Sequence, residues 1–103
     1  MASENKPSTS TNLAMPISGG INTLNTSSSV LVKAGNGELV GIFVASASSS
    51  PTIKLWDQTS AAVPVLVNTF TPVAGVWYPL PFHFNTALYI TIGGTLDCTI
   101  SYT

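Results

Sequence analysis

Charged residues are scarce in this sequence: Asp, Glu, Lys and Arg make up 7% of its 103 residues, against about 25% in a typical soluble domain. Arginine is absent, and three lysines against four acidic residues leave a formal net charge of -1. No basic field is available to attract phosphate backbones, so we expect no nucleic-acid partner. A surface with so few charges favours burial against other subunits, which predicts an oligomer.

Cysteine and histidine occur once each, as Cys98 and His83. A single cysteine excludes an internal disulfide, and its place in an alternating apolar pattern predicts a buried thiol. A zinc site needs three or four such ligands, and the sequence has neither an acidic calcium loop nor a glycine-rich phosphate loop. We therefore expect no metal and no cofactor.

Catalytic signatures are also missing. A lone histidine has no obvious nucleophile or orienting partner, and no Gly-x-Ser-x-Gly motif is present. We expect His83, between Phe82 and Phe84, to serve in packing or in an interface, and the protein not to be an enzyme.

Long apolar runs are absent as well. None approaches the roughly 20 residues of a membrane-spanning helix, and the N terminus lacks the basic start and apolar centre of a signal peptide. The sequence predicts no membrane partner and a product that stays in the cytoplasm where it is made, unless a particle carries it out.

Two stretches have the pattern of a β-hairpin. In residues 87–102, apolar side chains alternate on both sides of Gly93-Gly94, which predicts one apolar face. That face comprises Leu88, Ile90, Ile92, Leu96, Cys98, Ile100 and Tyr102. Residues 30–34 and 38–45 flank Asn36-Gly37, the second hairpin signal.

Further strands are predicted over 52–57, 63–71 and 76–82, and the two prolines of the last restrict it to a sheet edge. About seven or eight antiparallel strands at short spacing predict an all-β fold, a single β-sandwich of jelly-roll-like or immunoglobulin-like type. We place the sandwich at residues 30–103 and an N-terminal arm with a leading edge segment at residues 1–29.

The N-terminal residues are polar and aperiodic, and twelve extended residues could reach about 40 Å. We predict that this arm lies on a neighbouring subunit or partner. Its candidate contact residues are Ala2, Ser3, Glu4, Asn5, Lys6, Pro7, Leu13 and Met15. Leu13, Met15 and Ile17 occupy every second position, which predicts a short edge strand near Pro16.

Other candidate contact residues lie in the body. The strand 39–44 is apolar on both faces, with Leu39 and Phe43 pointing away from Val40, Ile42 and Val44, as in a strand covered by another subunit. Trp56, Trp77 and Tyr78 fit a core or subunit interface, and a sugar-stacking platform is the alternative.

Residues 30–103 resemble small β-sandwich virion proteins of tailed bacteriophages. The passages that carry the resemblance are Gly37-Glu-Leu-Val-Gly-Ile-Phe-Val, Thr52-Ile-Lys-Leu-Trp-Asp-Gln-Thr-Ser, Asn68-Thr-Phe-Thr-Pro-Val-Ala-Gly, Tyr78-Pro-Leu-Pro and residues 88–102. The resemblance implies a capsid decoration or cement protein: a homotrimer on the virion surface that binds the major capsid protein and bridges capsomers. Similar sandwiches also serve as head fibres, tail knobs and receptor-binding tips, so a carbohydrate- or receptor-binding module is the alternative.

Overall fold

The computed structural model describes residues 20–48 and 50–103, which form eight β-strands and no helix. The strands are β1 (Asn22–Thr26), β2 (Val30–Ala34), β3 (Gly37–Ala47), β4 (Thr52–Trp56), β5 (Val65–Phe70), β6 (Val76–Phe84), β7 (Ala87–Gly93) and β8 (Leu96–Tyr102). They form two four-stranded antiparallel sheets packed face to face, which confirms the predicted all-β sandwich.

The strand order is that of a jelly roll. Sheet A has the order β1-β8-β3-β6 and sheet B the order β2-β7-β4-β5. Only the β4–β5 connection stays within a sheet; every other connection between consecutive strands crosses from one sheet to the other. This arrangement is the double Greek key, one of the two sandwich types that the sequence leaves open.

Both predicted hairpins are wrong in their pairing, although their strands are correctly located. β7 pairs with β2 and β4, whereas β8 pairs with β1 and β3. β2 and β3 likewise belong to different sheets. In each case the two apolar faces meet across the core instead of lying side by side. Glycines at positive φ, Gly35 (95°) and Gly94 (77°), allow these tight turns between sheets.

The core lies between the two sheets, and the predicted inward faces of the last two strands are confirmed. The side chains of this predicted face all contact the core: Leu88, Ile90, Leu96, Cys98 and Ile100 are buried, and Ile92 and Tyr102 are partly buried. Phe84 at the end of β6 is the largest fully buried side chain. The remaining fully buried apolar side chains include Leu39, Ile42, Val44, Ile53, Leu55, Leu88, Ile90, Leu96, Cys98 and Ile100.

A bulge in β3 corrects the predicted facing of that strand. The register with β8 shifts between Leu39 and Gly41, so that Val40 is an extra residue. An extra residue inverts the alternation, and Leu39 therefore points inward together with Ile42. Leu39 is only 1% exposed, which corrects its prediction as a contact residue, whereas Phe43 points outward and is 41% exposed.

The sandwich begins earlier than the predicted start at Val30. β1, within the predicted leading segment, pairs along its whole length with β8, from Asn22 opposite Tyr102 to Thr26 opposite Cys98. Residues 22–26 therefore belong to sheet A. The predicted contact residues of the arm lie outside the described residues: Ala2, Ser3, Glu4, Asn5, Lys6, Pro7, Leu13 and Met15.

Candidate interaction surface

One side of the sandwich is built from a stretch without charges. No Asp, Glu, Lys or Arg occurs between Asp57 and His83, and this run contains β5 and β6. β5 is an edge of sheet B and β6 an edge of sheet A. The rings of Phe70 and Tyr78, 5.4 Å apart, join these two edges on the same side of the molecule. We call this side, residues 58–82, the uncharged flank.

Large apolar side chains are exposed along the uncharged flank. Val63 is 75% exposed, Val73 60% and Trp77 45%, and Val65 and Phe82 are also exposed. Five of the eight exposed large hydrophobic residues in the described ranges therefore lie on this one side. Monomeric proteins rarely group their exposed apolar residues, so the uncharged flank is a candidate interaction surface.

Phe43 extends the flank onto the outer face of sheet A. It lies directly opposite Trp77 in the β3–β6 register, so the two rings are neighbours on the same face. The Trp77 indole lies over Gly41, where an added Cβ would be 2.5 Å from two ring carbons. A glycine at this position allows the indole to rest against the backbone of β3.

Tyr78 points to the other side of β6 and packs against the core. Its hydroxyl accepts a hydrogen bond of 2.7 Å from the backbone N–H of Val73. This side chain holds the β5–β6 loop in place, and of the two predicted roles, core or subunit interface, its packing in the described residues is that of a core residue. It also accounts for the exposure of Val73, because the loop backbone is fixed while the valine side chain points outward.

Trp56 lies on the outer face of sheet B, on a different sheet from Trp77. Its indole N–H donates to Thr91 Oγ1 at 2.8 Å, and Lys54 Nζ lies 4.3 Å from the ring centroid. These contacts leave Trp56 half-buried. The structure does not bring Trp56, Trp77 and Tyr78 together, so the three do not form one sugar-stacking platform.

A buried carboxylate, that of Asp57, lies at the end of the sandwich next to the uncharged flank. Asp57 is 8% exposed, and its oxygens accept hydrogen bonds from the backbone N–H groups of Asn85, Thr86 and Ala87, the shortest at 2.7 Å. Burial raises the pKa of this carboxyl, but the three backbone donors and the nearby His83 lower it by more. The pKa of Asp57 therefore lies below its ordinary value, and the charged form ties β4 to the β6–β7 turn.

His83 has contacts that the sequence did not predict. Its Nδ1 lies 3.0 Å from Glu38 Oε2, and its Nε2 lies 3.0 Å from Asn85 Oδ1. Both side chains of the His83–Glu38 pair are about half exposed, and the pair joins β6 to β3 across the sheet. Among the described residues, the side-chain partners of the two His83 ring nitrogens are a carboxylate and an amide oxygen, and neither of these is the hydroxyl or thiol of a catalytic triad.

Within residues 20–48 and 50–103, no group of three or more His, Cys, Asp and Glu side chains is placed to hold a metal ion. The same ranges contain no helix long and apolar enough to cross a membrane. Comparison of the chain with protein-family models, with curated proteins and with solved structures found no match.

Sequence reasoning missed the extent of this surface. It singled out Phe43 and Trp77 but not Val63, Val65 or Val73. The available signal was the uninterrupted absence of charge from residue 58 to residue 82. Such a run is unusual for edge strands, which soluble proteins commonly protect with charged side chains.

Proposed function

We propose that this chain is a non-enzymatic structural protein of a tailed-bacteriophage particle. In this proposal it forms a trimeric decoration or cement protein that is made in the host cytoplasm and binds the major capsid protein on the outer capsid surface. The observation that carries the proposal is the uncharged flank with its exposed apolar side chains. The sequence resemblance supplies the kind of particle, and the jelly-roll sandwich is compatible with it.

The size of the flank favours several modest contacts over a single strong one. β6 has nine residues, so it is roughly 30 Å long, and the two sheet edges are about 10 Å apart. The flank therefore offers on the order of 300–450 Å², about half of the roughly 800 Å² that each partner contributes to a standard interface. Further contacts, from the arm or from the capsid, have to supply the remainder.

A trimer on a capsid lattice supplies these further contacts by multivalency. Three copies around one axis present three sets of capsid contacts, and after the first set binds, the others bind at a high effective concentration. A protein with weak individual contacts can bridge neighbouring capsomers in this way. No catalytic group is required for that role.

Light scattering on the purified protein tests self-association. We expect three times the chain mass of 10.7 kDa. The variant Trp77→Lys places a charge on the flank and is expected to reduce the mass to that of a monomer. Thr95→Lys, which places the same charge on the exposed β7–β8 turn, is the matched control and is expected to remain trimeric.

Sedimentation with capsids of the parent phage tests the location. Wild-type protein and Thr95→Lys are expected in the pellet and Trp77→Lys in the supernatant. A wild-type protein that is monomeric and does not sediment with capsids contradicts the proposal.

A carbohydrate- or receptor-binding module at a fibre or tail tip is the second candidate. It depends on the exposed pair Phe43 and Trp77, which offers two neighbouring rings for stacking. A glycan-binding assay separates the two candidates. Binding that is lost in a folded Trp77→Ala variant, with a monomeric wild type, favours this second function.

A further inference from the structure

One row of side chains crosses the whole outer face of sheet A. Asn25 of β1 is opposite Thr99 of β8, and Thr99 is in turn opposite Phe43 of β3. Phe43 is opposite Trp77 of β6. Directly opposed residues share a face of the sheet, and each step is one strand spacing, about 4.8 Å. This sheet A row therefore places two polar side chains at one end and two exposed rings at the other, within about 15 Å.

Asn25 holds the polar end of the row in one geometry. Its Nδ2 donates to Asp97 Oδ1 at 2.8 Å and to the backbone oxygen of Cys98 at 3.1 Å, and it lies 3.2 Å from Thr99 Oγ1. Because these contacts use the amide nitrogen, the orientation of the Asn25 side chain is fixed. No described residue donates a hydrogen bond to Asn25 Oδ1 or to Asp97 Oδ2. Both oxygens can therefore accept from a ligand, and the Thr99 hydroxyl can donate to it.

The aromatic end of the row is accessible to a flat apolar surface. Phe43 is 41% exposed and Trp77 45%. The tryptophan on the outer face of sheet B differs in this respect, because Lys54 Nζ lies over the Trp56 ring, 4.3 Å from its centroid. A stacking ligand therefore finds two open neighbouring rings on sheet A and a ring already covered by an ammonium group on sheet B.

Charge narrows the class of ligand that fits the sheet A row. Asp97 is the charged side chain at its polar end, and Lys33 and Lys54, the lysines of the described strands, both belong to sheet B. A carboxylate without a neighbouring lysine repels anions and accepts hydrogen bonds from hydroxyl groups. A neutral pyranose meets both requirements, since the C–H groups of its ring stack on an aromatic face while the hydroxyl groups around its edge donate to carboxylate and amide oxygens.

We infer that the sheet A row, together with Asp97, binds a neutral sugar. Phe43 and Trp77 stack on the sugar ring, and Asn25, Asp97 and Thr99 form hydrogen bonds with its hydroxyl groups. This inference rests on the second candidate function, and it adds the class of ligand and the polar half of the site.

A glycan array and a titration test the inference on the full chain. On an array of neutral and acidic glycans, we expect the wild-type protein to bind neutral glycans and not those that end in glucuronic or sialic acid. The dissociation constant of the neutral glycan that gives the strongest array signal is then measured by NMR titration of ¹⁵N-labelled protein. We expect the side-chain amide signal of Asn25 to shift on binding.

Substitutions in the two halves of the site show which residues bind the sugar. Phe43→Ala removes a stacking ring and is expected to weaken binding about 2- to 12-fold. Asn25→Ala removes an acceptor and the group that holds Asp97 and Thr99, and Asp97→Ala removes the second acceptor; each is expected to weaken binding about 2- to 12-fold. Phe82→Ala is the matched control, because Phe82 is 43% exposed and lies outside the row. It is expected to bind as the wild type does, and circular dichroism checks that all variants are folded.

The outcomes separate this inference from the proposed functions. Binding of neutral glycans that weakens in the variants of both halves, and not in Phe82→Ala, supports it. Binding that is unchanged in Phe43→Ala, or in both Asn25→Ala and Asp97→Ala, overturns it and leaves glycan binding at another place; so does equal binding of acidic glycans. A wild-type protein that binds no neutral glycan overturns this inference and the second candidate function together. If that protein is trimeric and sediments with capsids, the cement proposal is unaffected.

Discussion

Replacing Asp57 by alanine removes the acceptor for three consecutive backbone donors, and its cost follows from their burial. Ala87 is fully buried, so its N–H is left without a partner, which costs about 1–3 kcal/mol. Asn85 and Thr86 are exposed, so water replaces the carboxylate there, and each lost charged hydrogen bond costs about 1 kcal/mol. We expect Asp57→Ala to lower the free energy of unfolding by about 3–5 kcal/mol.

Asp57→Asn is the milder change, because the amide oxygen can still accept from one or two of these donors. It removes the charge and turns an NH₂ group towards backbone N–H groups, so we expect a loss of about 1–2 kcal/mol. For a domain of this size each kcal/mol corresponds to about 4–8 °C in Tm. Asp57→Ala should therefore melt roughly 12–40 °C below the wild type.

The pH dependence of this contribution has a definite sign. The pKa of Asp57 is lower in the folded protein than its ordinary value, which is about 3.9 in an unfolded chain. The stabilisation is fully present above the unfolded pKa and is lost as the pH falls through the folded pKa. Wild-type stability should decrease below about pH 4–5, and the decrease should be smaller in Asp57→Asn.

Urea unfolding followed by tryptophan fluorescence measures these differences, at one fixed protein concentration because self-association adds to apparent stability. Asp97→Ala is the matched control, since the Asp97 carboxylate accepts one side-chain hydrogen bond from Asn25, in an exposed setting. It should cost less than about 1 kcal/mol. If Asp57→Ala is as stable as Asp97→Ala, the carboxylate does not hold the β6–β7 turn and the reasoning is refuted.

Two further predictions concern the sheets themselves. Gly41→Ala places a Cβ 2.5 Å from the Trp77 ring and 2.6 Å from the Tyr78 carbonyl oxygen, so we expect a loss of about 2 kcal/mol or more in urea unfolding. A shifted fluorescence maximum would report the displaced indole, and an unchanged stability would contradict the close packing. Burial and the charge of Asp97 raise the pKa of Cys98 to about 11, so at pH 8 its thiol should react with Ellman's reagent only after unfolding. Rapid reaction of the native protein would show that Cys98 is accessible.

The location and facing of most strands could be predicted from alternation alone. The buried set of β7 and β8 is the one that the pattern indicates, because a period of two fixes which side chains share a face. β3 shows the limit of this argument. One extra residue at Val40 turns Leu39 inward, and no local signal in an apolar strand marks the position of a bulge.

Strand pairing was not predictable in the same way. Residues 30–45 and 87–102 have the turn chemistry of hairpins, yet in each the chain passes from one sheet to the other. A short turn and two apolar faces are compatible with both arrangements, since a hairpin places the faces side by side and a sandwich places them opposite each other. The choice depends on which other strands complete the sheets, and those strands are far away in the sequence.

The candidate surface, too, could be predicted only in part from the sequence. Composition alone indicates that the chain has few charges and that residues 58–82 have none. It does not indicate that β5 and β6 become edges on the same side, that Tyr78 points inward, or that Trp56 and Trp77 lie on different sheets.

The sequence by itself therefore determined the all-β class, the strand positions, most inward faces and the shortage of charge, because these depend on neighbouring residues and on periodicity. Only the tertiary structure decided the strand order, the bulge, the Asp57 contacts and the sides on which the exposed side chains meet. The physical reason is that a short stretch of chain can form its backbone hydrogen bonds and bury its apolar face equally well against many different partner strands. The long-range fit of all eight strands selects one arrangement.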